Sequence, residues 1–303
     1  MNKNITFDKL VAELGEVKKW LEQLGVKNLD KSRLSSIIEY SAQLNDEHSK
    51  YSKGQSNNLS NLNRNVETAV YEALALISIY HGFSRMDQSH LPKRKIEKCL
   101  LGSYSSLEEN QNDNSNQARN TLFELETNAY IKLCDLNLTN EFEDANIDFG
   151  EFKVSIQCKR PLSEKNLISN VKNAYDQLVI NNKIKTDIKS YGLIAISLEK
   201  LYELDKIRFV QNREDLDRLI LGISKDCLSK IKDYWIKIKN TKLLGFMLYF
   251  KSTIVFKDSG GMQGVNFFII DLPRPNKLSS PRWKIISSLQ KLTKIRVGEQ
   301  NFM

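Results

Sequence analysis

Three polar side chains, Asp144, Gln157 and Lys159, have the types and the spacing of a small metal-dependent hydrolytic site. The carboxylate of Asp144 and the amide oxygen of Gln157 are hard oxygen ligands of the kind that Mg²⁺ accepts. The ammonium group of Lys159 is suited to orienting a water molecule or stabilising the negative charge that develops on a phosphate. These groups can act together only if the fold brings them into one small volume.

A β-hairpin is the element expected to bring them together. Apolar and polar residues alternate on both sides of Gly150 with the period of a half-buried strand, and Gly150 itself favours a tight turn. Pro161 predicts the end of the second strand because proline cannot donate to a ladder. With the turn centred near Gly150, Asp144 is predicted on the same sheet face as Gln157 and Lys159. Cross-strand neighbours of this kind are roughly 5–8 Å apart.

This pattern resembles the PD-(D/E)xK nuclease superfamily, in which one strand carries an acid and the next carries an acid-x-lysine triplet. Here Asp144 matches the acid, and Gln157-Cys158-Lys159 matches the triplet with glutamine in place of its acid. A Gln-x-Lys triplet is similar to that of the Mrr-type branch of restriction endonucleases and related defence nucleases. The resemblance implies Mg²⁺ or Mn²⁺ as a cofactor held by Asp144 and Gln157, although an amide binds such a cation more weakly than a carboxylate. Asp148, nearer the turn on the same face, is the alternative acid.

The superfamily also carries a glutamate on the helix before its hairpin, and residues 118–133 have helical spacing. Glu126 falls within the apolar arc of this helix, whereas Glu124 falls on its far side. A carboxylate that faces a core is costly unless it is paired or binds a metal. The resemblance therefore implies Glu126 as a further catalytic and metal-binding residue, with Glu124 as the reserve. A position at the edge of the core, from which Glu126 would reach water, is the alternative.

The order of the predicted elements indicates a mixed α/β (α+β) fold. A helix, a strand, the two hairpin strands, a helix and a buried strand follow one another over residues 118–200. This order is that of the restriction-endonuclease-like αβββαβ core, so the resemblance covers about that range. On the helix after Lys159, Gln177 and Lys172 are polar candidates for positioning a substrate, for which solvation at the surface is the simpler interpretation. The rest of the chain predicts a helix, two strands and a final helix: residues 216–238, 243–256 and 265–272, and a helix from residue 281.

Three parts of the chain are distinguished by composition. Residues 1–102 are predicted as an N-terminal helical domain with amphipathic segments near residues 6–24, 31–44 and 62–80. Residues 103–117, rich in Ser, Asn and Gln, are predicted as a linker. Residues 118–303 are predicted as the nuclease-like domain, which ends in a basic β-hairpin and helix. A packed helical unit without chemistry is the simplest interpretation of the first part; dimerisation or contact with DNA is the alternative.

The charge of the chain favours a polyanionic partner. The formal net charge is +8, and residues 225–299 contain fifteen Lys and Arg against five Asp and Glu. Such a basic field attracts phosphate backbones in a salt-dependent way, so DNA is the expected partner. The four cysteines are widely separated and form no CxxC pair, which argues against a zinc site.

No run of about 18 apolar residues predicts a membrane span, and the first residues lack the apolar core of a signal peptide, so a cytoplasmic protein without membrane contact is expected. The resemblance implies a metal-dependent endonuclease that cleaves DNA phosphodiester bonds in a restriction or phage-defence setting, as a homodimer or with a partner defence subunit. The alternative, which Gln157 permits, is a nuclease-fold protein with little or no catalysis that binds nucleic acid or a partner protein. A structural component of a larger assembly is a third interpretation.

Overall fold

The fold is a mixed α/β arrangement in which helices pack on both faces of one mixed β-sheet. It is taken from a computed structural model, which describes residues 7–52, 64–87, 90–101, 114–140, 145–180, 189–238, 242–258, 262–271, 281–294 and 300–302. The N-terminal helices form an outer layer, a single long helix lies beneath them, and the sheet follows.

The outer layer consists of four helices and one 3₁₀ turn: α1 (Phe7–Gln23), the turn Leu29–Lys31, α2 (Arg33–Ser52), α3 (Arg64–Phe83) and α4 (Lys93–Cys99). Helix α1 ends because Gly25 adopts a left-handed conformation, with φ 71°, and the backbone N–H of Val26 donates to the carbonyl of Leu21 at 3.0 Å. Apolar side chains at helical spacing form the core of this layer: Leu10, Leu14, Val17, Leu21, Leu34, Ile37, Ala73, Leu74 and Ile77.

Helix α5 (Asn114–Leu133) belongs to two hydrophobic cores at once. One side joins the outer helices through Leu122, Leu125 and Ala129. The other side joins the sheet through Phe123, Tyr130 and Ile131. The helix begins at Asn114, so residues 114–117 of the predicted linker form its first turn, and residues 103–113 lie outside the described residues.

The sheet contains an antiparallel part at each side and a parallel part in the middle. Its strands are β1 (Leu138–Asn140), β2 (Asn146–Asp148), β3 (Lys153–Lys159), β4 (Ser190–Ser197), β5 (Arg208–Val210), β6 (Leu243–Phe256), β7 (Met262–Asp271) and β8 (Gln300–Phe302). The spatial order is β1-β2-β3-β4-β6-β7-β8, with β5 paired to β6. Strands β1, β2 and β3 are antiparallel neighbours, whereas β3, β4 and β6 run parallel.

The two faces of the sheet are covered by different helices. Helices α6 (Glu164–Ile180) and α7 (Arg213–Lys237) cover one face, which we call the α6 face. Helices α5 and α8 (Pro281–Lys294) cover the other, the α5 face. Along β3, Val154, Ile156 and Cys158 point to the α5 face. Since side chains alternate along a strand, Gln157 and Lys159 point to the α6 face.

Helices α3 and α5 approach most closely at Gly82. A Cβ atom at this position would lie 2.7 Å from the Cα atom of Ala129, which is closer than packed atoms tolerate. We expect Gly82→Ala to lower the free energy of unfolding by about 1–3 kcal/mol, because the two helices must move apart. Urea denaturation followed by circular dichroism measures the change.

The matched control is Gly222→Ala on α7, where a Cβ atom would meet nothing within 4 Å. This change is expected to raise the free energy of unfolding by about 0.5–1 kcal/mol, since alanine loses less backbone entropy in a helix. A Gly82→Ala variant as stable as the wild type would contradict the close packing of α3 on α5.

Candidate active site

A short hydrogen bond on the α6 face joins the end of β3 to α6. The Nζ atom of Lys159 donates to the Oε1 atom of Gln177 at 2.6 Å. Lys159 is the last residue of β3, and Gln177 lies in the last turn of α6. The apolar stripe of α6, which includes Val171, Ala174 and Leu178, is fully buried against the sheet. This packing fixes the position of α6 beside β3, and the exposed amide of Gln177 reaches the ammonium group of Lys159 from there.

Gln157 lies two residues before Lys159 on the same face of the sheet, and its side chain is 1% exposed. At about 3.3 Å of rise per residue, the Cα atoms of the two residues are about 7 Å apart. On the side of β4, the register places Ile194 beside Gln157 and Ile196 beside Lys159. Apolar residues therefore flank the pair on the β4 side, and Asp144 is predicted on the β2 side of β3.

The predicted antiparallel hairpin is present in the structure. Asn146 is paired with Ser155 and Asp148 with Lys153. The Oγ atom of Ser155 donates to the Oδ1 atom of Asn146 at 2.6 Å, so these two side chains share a face. Gly150 occupies the turn with φ 77°, as its freedom to adopt positive φ predicted.

Of the two candidate acids of the hairpin, the structure describes Asp148 and leaves Asp144 outside the described residues. Asp148 lies opposite Lys153, four residues from Gln157 along the strand, which corresponds to about 13 Å. Its Oδ1 atom accepts a hydrogen bond from the backbone N–H of Gly150 at 2.7 Å, so its carboxylate stabilises the turn. Asp144 lies outside the described residues, one peptide bond before Ala145, whose carbonyl accepts from the Ile156 N–H at 2.7 Å.

Glu126 is buried, as its place in the apolar arc predicted, but it points to the α5 face and not toward Gln157. Its Oε2 atom lies 3.0 Å from the Nζ atom of Lys251 on β6. Its Oε1 atom accepts a hydrogen bond from the hydroxyl of Tyr249 at 2.5 Å. The sheet therefore separates Glu126 from Gln157 and Lys159. The reserve candidate, Glu124, pairs with Lys95 of α4 at 2.9 Å and does not join them either.

Burial raises the pKa of Glu126 above its ordinary value, although the charge of Lys251 and the hydrogen bond from Tyr249 act in the opposite direction. The Lys251 ammonium also lies 3.9 Å from the ring centroid of Tyr71 on α3, a cation–π contact. Lys251, on β6, thus contacts both α3 of the outer layer and α5. This ion pair connects three layers of the protein.

Three more buried ion pairs lie in the same region, and two of them share Glu72. Glu72 of α3 accepts from Arg33 at 2.8 Å and from Arg119 of α5 at 2.9 Å. Arg160, the residue after Lys159, donates two hydrogen bonds to Glu199 at 2.6 and 2.9 Å. All these residues are 6% exposed or less. We call the seven charged residues the buried charge cluster: Arg33, Glu72, Arg119, Glu126, Arg160, Glu199 and Lys251.

The pKa values of Glu199 and Glu72 are lowered, whereas that of Glu126 is raised. Burial alone would raise the pKa of Glu199, but the charge and hydrogen bonds of Arg160 lower it well below its usual range. Glu72 behaves similarly, because Arg33 and Arg119 outweigh the effect of burial and lower its pKa. Both groups are therefore anionic in the folded protein at neutral pH, and each is neutralised by guanidinium groups.

The buried charge cluster is the polar feature that sequence analysis missed, apart from Glu126. For two members there was an available signal, a charged residue within an apolar stretch. Glu72 follows Ala69 and Val70 on α3, and Lys251 interrupts the long apolar run of β6. Gln177 was identified only as a weak candidate because it is exposed, and the contact with Lys159 is what gives it significance.

The donor set near Lys159 suits a hard cation. Gln157 offers an amide oxygen, and Asp144 would add a carboxylate. Mg²⁺ is commonly held through one or two carboxylates and completes its coordination shell with water and substrate phosphates. With Asp144, this set would supply one carboxylate, the smaller of these two numbers. In the part of the chain that the structure describes, no group of three His, Cys, Asp or Glu side chains is placed to hold a metal ion.

Within the described residues, none of the helices is both long and apolar enough to cross a membrane. Comparisons with protein-family models, with curated proteins and with solved structures found no match to this chain. The contacts and the order of the elements are therefore the basis for a functional interpretation.

Proposed function

We propose that this protein is a metal-dependent endonuclease that cleaves phosphodiester bonds in DNA, with Asp144, Gln157, Lys159 and Gln177 as its site. The observation that carries the proposal is the 2.6 Å hydrogen bond from Lys159 to Gln177, on the same sheet face as Gln157. A catalytic lysine gains from such an acceptor, because its ammonium group must be positioned before the reaction.

The arrangement of elements around these residues supports the proposal. Helix α5 precedes three antiparallel strands, β1 to β3, and helix α6 then leads to β4, which runs parallel to β3. This order of elements supports the proposal, because the resemblance implies an αβββαβ core. Lys159 and Gln157 come from the third strand of that order, where the superfamily carries its triplet.

Each residue then has a distinct role in the proposed reaction. The carboxylate of Asp144 and the amide oxygen of Gln157 hold the divalent cation. When bound, Mg²⁺ or Mn²⁺ supplies positive charge that stabilises the developing charge on the phosphate. Lys159 donates a hydrogen bond to the attacking water or to a non-bridging phosphate oxygen. Gln177 keeps the Nζ atom of Lys159 in place between turnovers. A defence or restriction setting remains part of the proposal by analogy with the Gln-x-Lys triplet.

Glu126 does not belong to this proposed site. Its carboxylate is on the α5 face and its charge is already balanced by Lys251. Moving it to Gln157 would require crossing the sheet. We therefore assign Glu126 a role in joining the outer helices to the sheet.

The basic C-terminal part is divided between the two faces of the sheet. Helix α7, on the α6 face with the proposed site, exposes Lys225, Lys232 and Lys237. Helix α8 lies on the opposite face. Lys251, one of the fifteen basic residues counted in this part, is buried and cannot reach DNA. We propose that the lysines of α7 contribute the phosphate contacts that hold the duplex near Lys159.

The proposal is tested by metal binding and by nicking of supercoiled plasmid. We expect the wild-type chain to bind Mn²⁺ in calorimetry and to nick plasmid with Mg²⁺. Asp144→Asn should weaken Mn²⁺ binding at least about tenfold, because it removes the carboxylate ligand. The matched control is Asp148→Asn, whose carboxylate stabilises the turn and should leave metal affinity unchanged. An Asp144→Asn variant with wild-type affinity and nicking rate would contradict the assignment.

A second function is favoured by one observation, the absence of Glu126 from the site. With a buried amide at Gln157 and Glu126 on the opposite face, the proposed site draws on Asp144 for its carboxylate, which suits a protein that binds nucleic acid without cleaving it. That function predicts salt-dependent DNA binding by the wild type together with no nicking in Mg²⁺ or Mn²⁺. Nicking that is lost in Asp144→Asn would exclude it.

A further inference from the structure

The outer helical layer contains a pocket of about 380 Å³ that has no part in the proposed nuclease site. It lies between the segment that follows α1, including the turn Leu29–Lys31, and helix α4 with the residues that follow it. Its volume falls in the lower part of the range for small-molecule sites, which is about 300–1,000 Å³. The pocket is therefore large enough for a compact organic ligand.

The walls of the pocket are apolar at depth and fixed in conformation. Val26, Leu29 and Leu100 line it and are buried, whereas Leu101 at its edge is 59% exposed. Asn28 adopts a left-handed conformation with φ 59°, which asparagine adopts more readily than most residues with a side chain. A segment held in such a conformation by its surroundings forms a preorganised wall, which reduces the entropy lost when a ligand binds.

The charges around the pocket are mainly positive. Lys27, Lys31 and Lys93 line it, with Glu97 as the single acid, which gives +3 − 1 = +2 at neutral pH. None of the three lysines forms an ion pair with a residue that the structure describes. The neighbouring acid, Asp30, is engaged elsewhere, since its Oδ1 atom accepts from Lys18 at 2.7 Å.

We propose that this pocket binds a small organic phosphomonoester of mononucleotide size. A phosphomonoester carries close to two negative charges at neutral pH, which matches the net charge of the pocket. Lysine ammonium groups bind phosphate as compact point charges. The apolar part of the ligand packs on Val26, Leu29 and Leu100, and the exposed side chain of Leu101 closes over it. Glu97 accepts a hydrogen bond from a ligand N–H or O–H group.

Calorimetry on the full chain with three probes tests this proposal: adenosine 5′-monophosphate, adenosine and inorganic phosphate. We expect the monophosphate to bind with one site per chain. Each of the other two probes should bind at least about tenfold more weakly, because adenosine lacks the phosphate and inorganic phosphate lacks the apolar part of the ligand. Inorganic phosphate that binds as tightly as the monophosphate would overturn the role of the apolar wall. No saturable binding of the monophosphate at millimolar concentration would overturn the proposal as a whole.

Paired lysine variants locate the binding. The double variant Lys27→Ala/Lys31→Ala removes two exposed cations of the pocket and should weaken binding of the monophosphate about tenfold. The control double variant Lys153→Ala/Lys257→Ala removes two exposed cations that do not line the pocket and should leave binding of the monophosphate unchanged. Equal losses in both variants, or no loss in the first, would place the ligand elsewhere and overturn the proposal. Neither result depends on whether the chain cleaves DNA. Failure of the pocket proposal would therefore leave the nuclease proposal untouched, and the reverse is also true.

Discussion

A Lys159→Ala variant is expected to nick supercoiled plasmid about 10²–10⁴-fold more slowly than the wild type in the presence of Mg²⁺. The loss follows from removing an ammonium group that lies on the same sheet face as Gln157, two residues away on β3. Stability should be unaffected within about 0.5 kcal/mol, since Lys159 is half-buried and its partner Gln177 is exposed. Initial nicking rates and a thermal melt of the same samples measure both quantities.

The matched control for this variant is Lys153→Ala. Lys153 begins the same strand, is exposed and lies about 20 Å from Lys159 by strand rise. Its removal takes away an equal charge but should leave the nicking rate within about twofold, because rates respond to charge at such distance only through a screened field. Equal losses from both variants would mean that the nicking rate depends on the overall positive charge of the protein. Lys159 would then have no catalytic role.

Gln177→Leu completes the same experiment by removing the acceptor of the Lys159 hydrogen bond. If Gln177 positions the amine, kcat should fall about tenfold while KM stays nearly constant, because the ground-state contacts with DNA remain. Asn173→Leu, on an exposed position one turn earlier in α6, is the control. A Gln177→Leu variant whose KM rises without loss of kcat would instead indicate a contact to DNA.

A Lys251→Met variant is expected to lose about 3–5 kcal/mol of stability, the largest effect among the stability variants. The change leaves the carboxylate of Glu126 buried without its cation, and such a group is far costlier than a lost surface ion pair. Urea denaturation at pH 8 measures the loss. The double variant Glu126→Gln/Lys251→Met should recover a large part of it, because the uncompensated charge is then gone.

The penalty of Lys251→Met is also expected to depend on pH, being smaller at pH 5 than at pH 8. Without Lys251, burial raises the pKa of Glu126 further, because the cation that opposed the shift is missing. A carboxyl with a raised folded-state pKa binds its proton more tightly in the folded chain. Its contribution therefore favours folding at low pH and is lost as the pH rises through the folded-state pKa. A penalty that is constant between the two pH values would mean that Glu126 reaches water.

Local patterns predicted the hairpin and its surroundings correctly. Alternation on both sides of Gly150 was sufficient because a half-buried strand has a fixed period and glycine allows the turn. The helical phase of residues 118–133 also placed Glu126 inside, whereas Glu124, predicted on the far side, is half-buried against Lys95. Short or polar elements were less visible: the strand β5 has three residues, and the first turn of α5 is polar and had been included in the linker.

The partner of Glu126 was beyond sequence reasoning for a physical reason. Helical phase tells whether a side chain points inward, but α5 is enclosed on two sides, and phase does not tell which core receives the side chain. The cation that neutralises Glu126 is Lys251, 125 residues later in the chain. Pairing at that separation is set by the order of strands in the sheet, which no local pattern encodes.

The same separation has a consequence for the newly made chain as it leaves the ribosome. At about 5–20 residues per second, roughly 6–25 s pass between the synthesis of Glu126 and that of Lys251. During this interval the carboxylate has no Lys251 to neutralise it, so we expect it to stay hydrated or protonated. The contact of Lys251 with Tyr71 and Glu126 can form only after β6 has been synthesised, and it then joins the helical layer to the sheet.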